Sequence, residues 1–420
     1  MIMTLVLAST IWLAAGAGVF LNAAPAQNRP PEDRPPDADS LARQALVDTL
    51  YYNYEKWFAA FENAIASRES LPPALKTRME LMKYHFYLAG LRVELSRTLA
   101  VTSKYKDAGL EEALLNDIRK AKLHAKSALE DPRISREQKA TAYFYLGASE
   151  GYLGIFEYGA GNYLSALTNG FSADNDLGEA LRLDPSLGDA HLGLGIYRYG
   201  VSRLGGLGNF LMQGSQDRRL EGIRHIERAI KSQSSSLPLA MKTLIWFYLS
   251  EEINPQNAAL PEDDPLSPAV CRARSAKLIE EFESRYFKDV PYPGFIGSKD
   301  LALMKAVRHS LDGDYAAARG EFEKIVKIAA FLKENKGYKI NPQLIRTVEA
   351  GVQFSDIMTE AAGPGDNLRA NPSLCANVNR QISFIDGGGT LVEYDSRKIR
   401  RDIQNVFYGR LLDLSRRMSC

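Results

Sequence analysis

Residues able to do catalytic or ligating chemistry are few in this chain, and they are scattered. The five histidines, His85, His124, His191, His225 and His309, never fall three or four apart, so no helix carries the paired imidazoles of a zinc site. The three cysteines, Cys271, Cys375 and Cys420, also lack ligand spacing and are too few for a disulfide framework. In an oxidising compartment one pair could close. Cys375 with Cys420 is the choice because both lie in the C-terminal segment; three unrelated thiols are the alternative. Asp386-Gly387-Gly388-Gly389-Thr390 has the glycines of a phosphate loop but lacks its Lys and helix start, so it reads as a turn. No local motif surrounds a Ser or Cys nucleophile. Glu150, in an aromatic helix, is the one carboxylate singled out, with an i,i+4 or capping role as its plain alternative. The expectation is a non-enzyme with no cofactor and no metal.

Aromatic side chains, by contrast, are dense. Tyr143, Phe144, Tyr145, Tyr152, Phe156, Tyr158 and Tyr163 cluster in one stretch, and Tyr197 and Tyr199 could join them. Rigid rings give contact area at low entropy cost. Phe144, Tyr145, Tyr152, Tyr197 and Tyr199, with His191, are therefore the candidate partner-binding residues, facing a groove. Helix–helix packing is the alternative for each ring, because aromatic stripes at helical spacing most often form core.

The elements that must position these residues read as helices nearly throughout. Leu41 to Ala66 predicts one long aromatic helix, and Ser70-Leu71-Pro72-Pro73 breaks it. Ala74 to Thr98, Leu110 to Leu129 and Ser135 to Tyr158 follow. The stretch DLGEALRLDPSLGDAHLGLGIYRY, Asp176 to Tyr199, predicts a helix ending at Leu183-Asp184-Pro185 and then a second helix with small residues on one face. Further helices are read at Asp217 to Lys231, Leu237 to Glu252, Pro268 to Phe287, Ser298 to Leu311, Asp314 to Phe331 and Pro342 to Met358. Gly313 should take a positive φ between the two flanking helices. After a loop at Ala361 to Pro372, ISFIDGGGTLVEY (Ile382 to Tyr394) predicts two short strands around a turn. Asp395 to Met418 predicts an amphipathic capping helix.

Ala180, Pro185, Ala190, Leu194 and Gly195, with the later turn Asp312-Gly313-Asp314-Tyr315 followed by Ala318 and Phe322, fall where helix-turn-helix repeats need them. On these residues the chain resembles a tetratricopeptide-repeat protein of the bacterial envelope. The resemblance covers about half of the chain. It implies an all-α fold: a helical-hairpin solenoid with irregular insertions at Asp131–Gln138, Gly200–Gln216 and Asn254–Ser267, and a non-repeat C-terminal segment. In such arrays the first helix of each pair lines the concave face. Repeats that clamp a peptide carboxylate place Lys, Arg and Asn there; here the corresponding positions are Phe144, Ala148, Leu192 and Ile196, which favours an apolar or mixed groove. Phe210-Leu211-Met212-Gln213 with an upstream Glu is superficially similar to lytic transglycosylases. Glu150 lies far upstream and is followed by Gly151 instead of Ser, so no catalytic residue is assigned.

The uncharged apolar run Leu5 to Leu21 and the Ala24-Pro25-Ala26 that follows predict a cleaved signal peptide, with an uncleaved membrane anchor as alternative. The bulk of the chain would be exported, in the periplasm or membrane-associated. The organisation read is residues 1–26 leader or anchor, 27–40 Pro-rich linker, 41–130 N-terminal helical region, 131–360 repeat array and 361–420 C-terminal segment. With 52 basic and 51 acidic residues there is no electrostatic case for nucleic acid. The expected function is non-catalytic binding of an envelope protein or extended peptide. A small-molecule or lipid-binding component of a transport system is the alternative, and an envelope glycan-cleaving enzyme the third reading. The Gly200–Gln216 loop, apolar and glycine-rich, is read as tucked against the array or as a lip touching a membrane or partner.

Overall fold

The computed structural model describes residues 37–99, 107–160, 162–204, 213–214, 216–290, 292, 294–363, 371–392 and 397–420. Within them the chain is all-helical, with no strand. The α-helices are α1 (Ala38–Asp48), α2 (Tyr54–Glu69), α3 (Leu75–Leu99), α4 (Ala108–Leu129), α5 (Arg136–Ala160), α6 (Tyr163–Leu183), α7 (Gly188–Leu204) and α8 (Arg219–Lys231). They continue with α9 (Leu237–Glu252), α10 (Pro268–Tyr286), α11 (Lys299–Asp312), α12 (Tyr315–Lys336), α13 (Pro342–Ala362), α14 (Pro372–Asp386) and α15 (Arg397–Met418).

Consecutive helices pack as hairpins: α3 on α4, α5 on α6, α7 on α8, α9 on α10, and α11 on α12. The stops and starts have local causes. Ser267, Ser298 and Asp314 each accept a backbone N–H in the first turn of the helix they open, satisfying a donor that has no partner within the helix. Gly313 closes α11 at φ +83°, as its place between two helices requires. Where α7 crosses α8, a methyl on Gly222 would lie 2.7 Å from the Gly195 carbonyl and 2.8 Å from the Tyr199 backbone nitrogen. Only hydrogen fits there, so the small residues Gly195 and Gly222 set the spacing of these two helices.

The first helices of successive pairs also touch one another: α3 meets α5, α5 meets α7, and α9 meets α11. The N-terminal helices return across this face. Lys242 of α9 bridges Glu94 of α3 and Asp300 of α11, at 2.7 Å to each. The Asn341 N–H donates to Leu99 O at 3.0 Å, and the Lys299 N–H donates to the Tyr52 hydroxyl at 2.7 Å. Tyr51 packs its ring 4.6 Å from Phe295 and 5.0 Å from Tyr292.

Four expectations change. Among the described residues the first helix starts at Ala38, capped by Asp37, inside the segment read as linker to Ser40. Ala38, Leu41, Ala42 and Ala45 form a buried stripe too weakly apolar to stand out beside the prolines. The helix read as Leu41 to Ala66 is broken by a 3-10 turn at Thr49–Tyr51, with Tyr52 at φ +62°. The strands read at Ile382 to Tyr394 are absent from its described residues: α14 runs to Asp386, with Leu374, Val378 and Gln381 buried at helical spacing, and the glycines then turn the chain. Gln381 Nε2 donates to Ala350 O at 2.6 Å, fixing that face on α13. The loop Asn254–Ser267 contains a 3-10 turn, Pro255–Asn257, with Asn257 buried. Cys375 and Cys420 form a disulfide across a Cα separation of 5.7 Å, tying α14 to the residues after α15. The leader and most of the linker lie outside the described residues, as do 205–212 of the Gly200–Gln216 insertion and residues 393 and 394.

Candidate functional site

The aromatic residues of α3 and α5 form one surface. The Phe86 ring lies 5.8 Å from Phe144, 5.1 Å from Tyr145 and 5.8 Å from Tyr152, in edge-on or tilted geometry. Such contacts let a ring edge meet a ring face, the favoured alignment of their quadrupoles. The Tyr145 hydroxyl donates to the Tyr87 hydroxyl at 2.9 Å, and the Tyr87 hydroxyl donates to Asp39 Oδ1 at 3.3 Å. Lys83 Nζ is ion-paired with the other oxygen of Asp39. Burial, and then the charges of Asp189 and Asp39, push the Tyr87 phenol well above its usual range. Burial, and then Tyr87 and Asp39, do the same to Tyr145. Both therefore stay protonated donors across ordinary pH.

Asp39 belongs to α1. That helix is laid over α3 and α9, its N-terminal carboxylate held by Lys83 and Tyr87, with Tyr145 behind Tyr87, and its alanines turned inward. The fit beneath it is incomplete. A cavity of about 30 Å³ remains among Ala42, Ala45, Phe86, Gly90, Leu91 and Tyr152. That is room for a water or two, well below the roughly 300–1,000 Å³ of ordinary small-molecule sites. A methyl on Gly90, in the middle of α3, would meet no atom within 4 Å.

The candidate residues divide. Phe144, Tyr145, Tyr199 and His191 are buried, with Tyr145 and Tyr199 only 2 % and 1 % exposed. Tyr152 and Tyr197 are half-buried, and only Tyr152 lines the cavity under α1. Tyr199 stacks on Phe247 at 3.6 Å and donates to Glu251 at 2.8 Å. Burial, and then Asp174, push the Tyr197 phenol up to about 12. At the clamp positions, Phe144 and Leu192 are buried, and Ile196 packs against the core.

His191 is part of a defined relay. Its Nδ1 lies 2.7 Å from Nδ1 of His225, its Nε2 lies 3.0 Å from Pro185 O, and Arg198 lies 3.0 Å from His225 Nε2. A carbonyl can only accept and a guanidinium can only donate. His191 therefore carries its proton on Nε2 and His225 on Nδ1, and every ring nitrogen is satisfied with both rings neutral. Burial lowers both, and with Arg198 it takes His225 down to about 4. His85 is held similarly, with Nδ1 2.9 Å from Asp117 and its ring stacked 5.9 Å from His124; burial leads in bringing both to about 4.

Two other carboxylate clusters stand out. Glu150, only 4 % exposed, pairs with Lys122 at 2.8 Å. Burial, and then the neighbouring Glu150, raise Asp176 to about 7, so the Asp176 carboxyl is partly protonated near neutrality. Glu251 is fully buried and meets Arg219 at 2.5 Å, the Tyr199 hydroxyl at 2.8 Å and Asn257 at 2.8 Å. Arg203, also at Glu251, reaches Asp402 of α15 at 2.5 Å, so this network joins the α7–α8 and α9–α10 pairs to the C-terminal helix. Sequence reasoning missed the break that makes α1 a separate helix, and also Gly90 and Glu251. An isolated glycine inside the helical run Tyr84-His85-Phe86-Tyr87-Leu88-Ala89-Gly90-Leu91 was the available signal.

No family model, curated protein or solved structure matches this chain. Among the described residues, no helix is long and apolar enough to cross a membrane, and no group of three or more His, Cys, Asp or Glu is placed to hold a metal ion.

Proposed function

We propose that the protein is a non-catalytic binding scaffold of the bacterial envelope, built as a tetratricopeptide-like array and exported by its apolar leader. One observation carries this reading: an aromatic surface made by the first helices of successive pairs already holds a helix, α1, across it. Repeat arrays use the equivalent face for extended or helical ligands. The occupied face narrows the expectation from an open groove to one covered by the chain's own N-terminus. The partner is an envelope protein or an extended peptide.

The small-molecule alternative has its own observation. An open cleft of about 290 Å³ lies between the start of α10 and α15, with Ile253, Leu311 and Val406 as apolar lining and Arg272 and Arg410 at its walls. A photo-crosslinking residue at position 152, compared with one at exposed position 139, tests the first reading in the intact envelope. The scaffold reading expects a discrete adduct from 152 and none from 139. Equal, diffuse labelling at both positions contradicts it.

A further inference from the structure

Among the described residues, His85 carries the one buried imidazole nitrogen that has no hydrogen-bond partner. The residue is 2 % exposed, and its Nε2 meets neither donor nor acceptor. The opposite side of the ring fixes its tautomer. Nδ1 lies 2.9 Å from Asp117 Oδ1, and Arg92 holds the second oxygen of Asp117. An ionised carboxylate only accepts, so the His85 proton sits on Nδ1 and Nε2 presents a bare lone pair. A buried acceptor without a donor is costly. A carboxylate behind Nδ1 is also the arrangement that orients metal-binding imidazoles.

Two further donors border the same space. Glu69, the last residue of α2, has its Oε1 4.0 Å from His85 Nε2. His124 of α4 places its ring 5.9 Å from that of His85 and 9° from parallel. A carboxylate at a helix C-terminus opposes the helix dipole, so Glu69 gains from a cation beside it. Lys120, exposed on the same face of α4 as Asp117 and His124, supplies that charge from 3.3 Å.

We propose that His85, Glu69 and His124 form a binding site for a divalent transition-metal ion of the zinc class. Neutral imidazoles with one carboxylate suit such ions, whereas magnesium and calcium take sets of oxygens. His85 is the fixed ligand. Zinc ligands at about 2.0–2.1 Å stand about 3.3 Å from one another, so Glu69 closes on Nε2 by less than about 1 Å. Lys120 releases Glu69 into solvent, the His124 ring turns a nitrogen into the same space, and water takes the fourth position. The ion thus gathers the set around its one fixed member; no three-ligand group stands preformed among the described residues. Spacing along a single helix could not show this pair of histidines, because α3 supplies one and α4 the other. The inference stands apart from the scaffold reading.

The test is isothermal titration of zinc chloride into the full chain, stripped with EDTA and free of any affinity tag. One ion per chain should bind. His124→Ala and Glu69→Gln should each weaken binding at least tenfold while leaving the unfolding temperature of the metal-free chain in place. Lys120→Met, which frees Glu69, should tighten it at least threefold. His85→Gln should abolish it; if that core variant does not fold, the His124 and Glu69 variants decide. His309→Ala, on α11, should bind as the wild type does. Absence of stoichiometric zinc binding to the wild type would overturn the proposal, leaving a water as the partner of Nε2. Binding indifferent to both His124→Ala and Glu69→Gln would overturn it too, since the ion would then sit elsewhere.

Discussion

Gly90 and Gly222 are both helix-interior glycines, and their surroundings are opposite. At Gly222, the backbone of α7 comes so near that an added methyl would sit 2.7 Å from a carbonyl oxygen. At Gly90, the same methyl would meet nothing within 4 Å. The first glycine belongs to a region where helices touch and a buried charge network, Glu251 with Arg219, Tyr199 and Asn257, ties three helices and a 3-10 turn together. The second lies under α1, a helix that buries three alanines and one leucine over an unfilled space. Small residues alone thus do not tell whether two helices are close. What decides is whether the neighbour arrives, and under α1 it does not fully arrive.

The comparison can be broken most strongly at the tight end. Glu251→Ala would remove the buried carboxylate shared by Arg219, Arg203 and the Tyr199 hydroxyl, leaving the arginines only Asp217 and Asp402, and urea denaturation should show a loss of about 3–5 kcal/mol. A change below about 1 kcal/mol would mean that the network is not desolvated as its burial indicates. Gly222→Ala forces α7 and α8 apart, and the same measurement should show a loss of roughly 2–3 kcal/mol.

Acid should act on the same half-rigid frame. His85, His124 and His225 are held near 4, and His191 is also lowered, whereas the unfolded chain takes up these protons at about 6.5. Stability from these groups is complete above pH ~6.5 and is lost as pH falls toward about 4, because the unfolded state then binds more protons. Asp176 and Asp189, both raised, work in the opposite direction over part of that range. The histidines outnumber them, so the net effect from pH 7 to 5 should be a loss of roughly 1–3 kcal/mol after solvent screening. Thermal unfolding across that range checks it, and a flat or rising profile would contradict the buried neutral pairs.

The smallest effect is at the loose end. Gly90→Ala should raise stability by about 1 kcal/mol, from helix propensity with no steric cost. A loss there would show that the space under α1 is already filled.

The helical pairs were legible where pattern and packing coincide. In Asp176–Tyr199 the proline turn ends α6 at Leu183, and Ala180, Ala190 and Leu194 are all buried. The Cys375–Cys420 pairing could be read from placement in one segment. The site was less legible. The aromatic cluster was visible, but which rings face inward depends on the helix that returns from the N-terminus, and no local period encodes that return. Alanine stripes such as Ala38-Ala42-Ala45 carry too little hydrophobicity to announce burial. In Ile382–Asp386, β-branched residues in a short apolar run read as strand, while burial at Leu374, Val378 and Gln381 kept the helix going. The buried charges were unreadable for the same reason: Glu251 and Arg219 meet only once α8 and α9 are packed.

Native-state hydrogen exchange compares the two regions most directly. The account predicts that amides of α1 exchange through a local opening, at low protection and with little dependence on added denaturant, while those of α8 and α9 exchange only with global unfolding. Exchange of α1 at the same global limit as α9 would contradict the claim that the N-terminal helix is a loosely seated occupant of the groove.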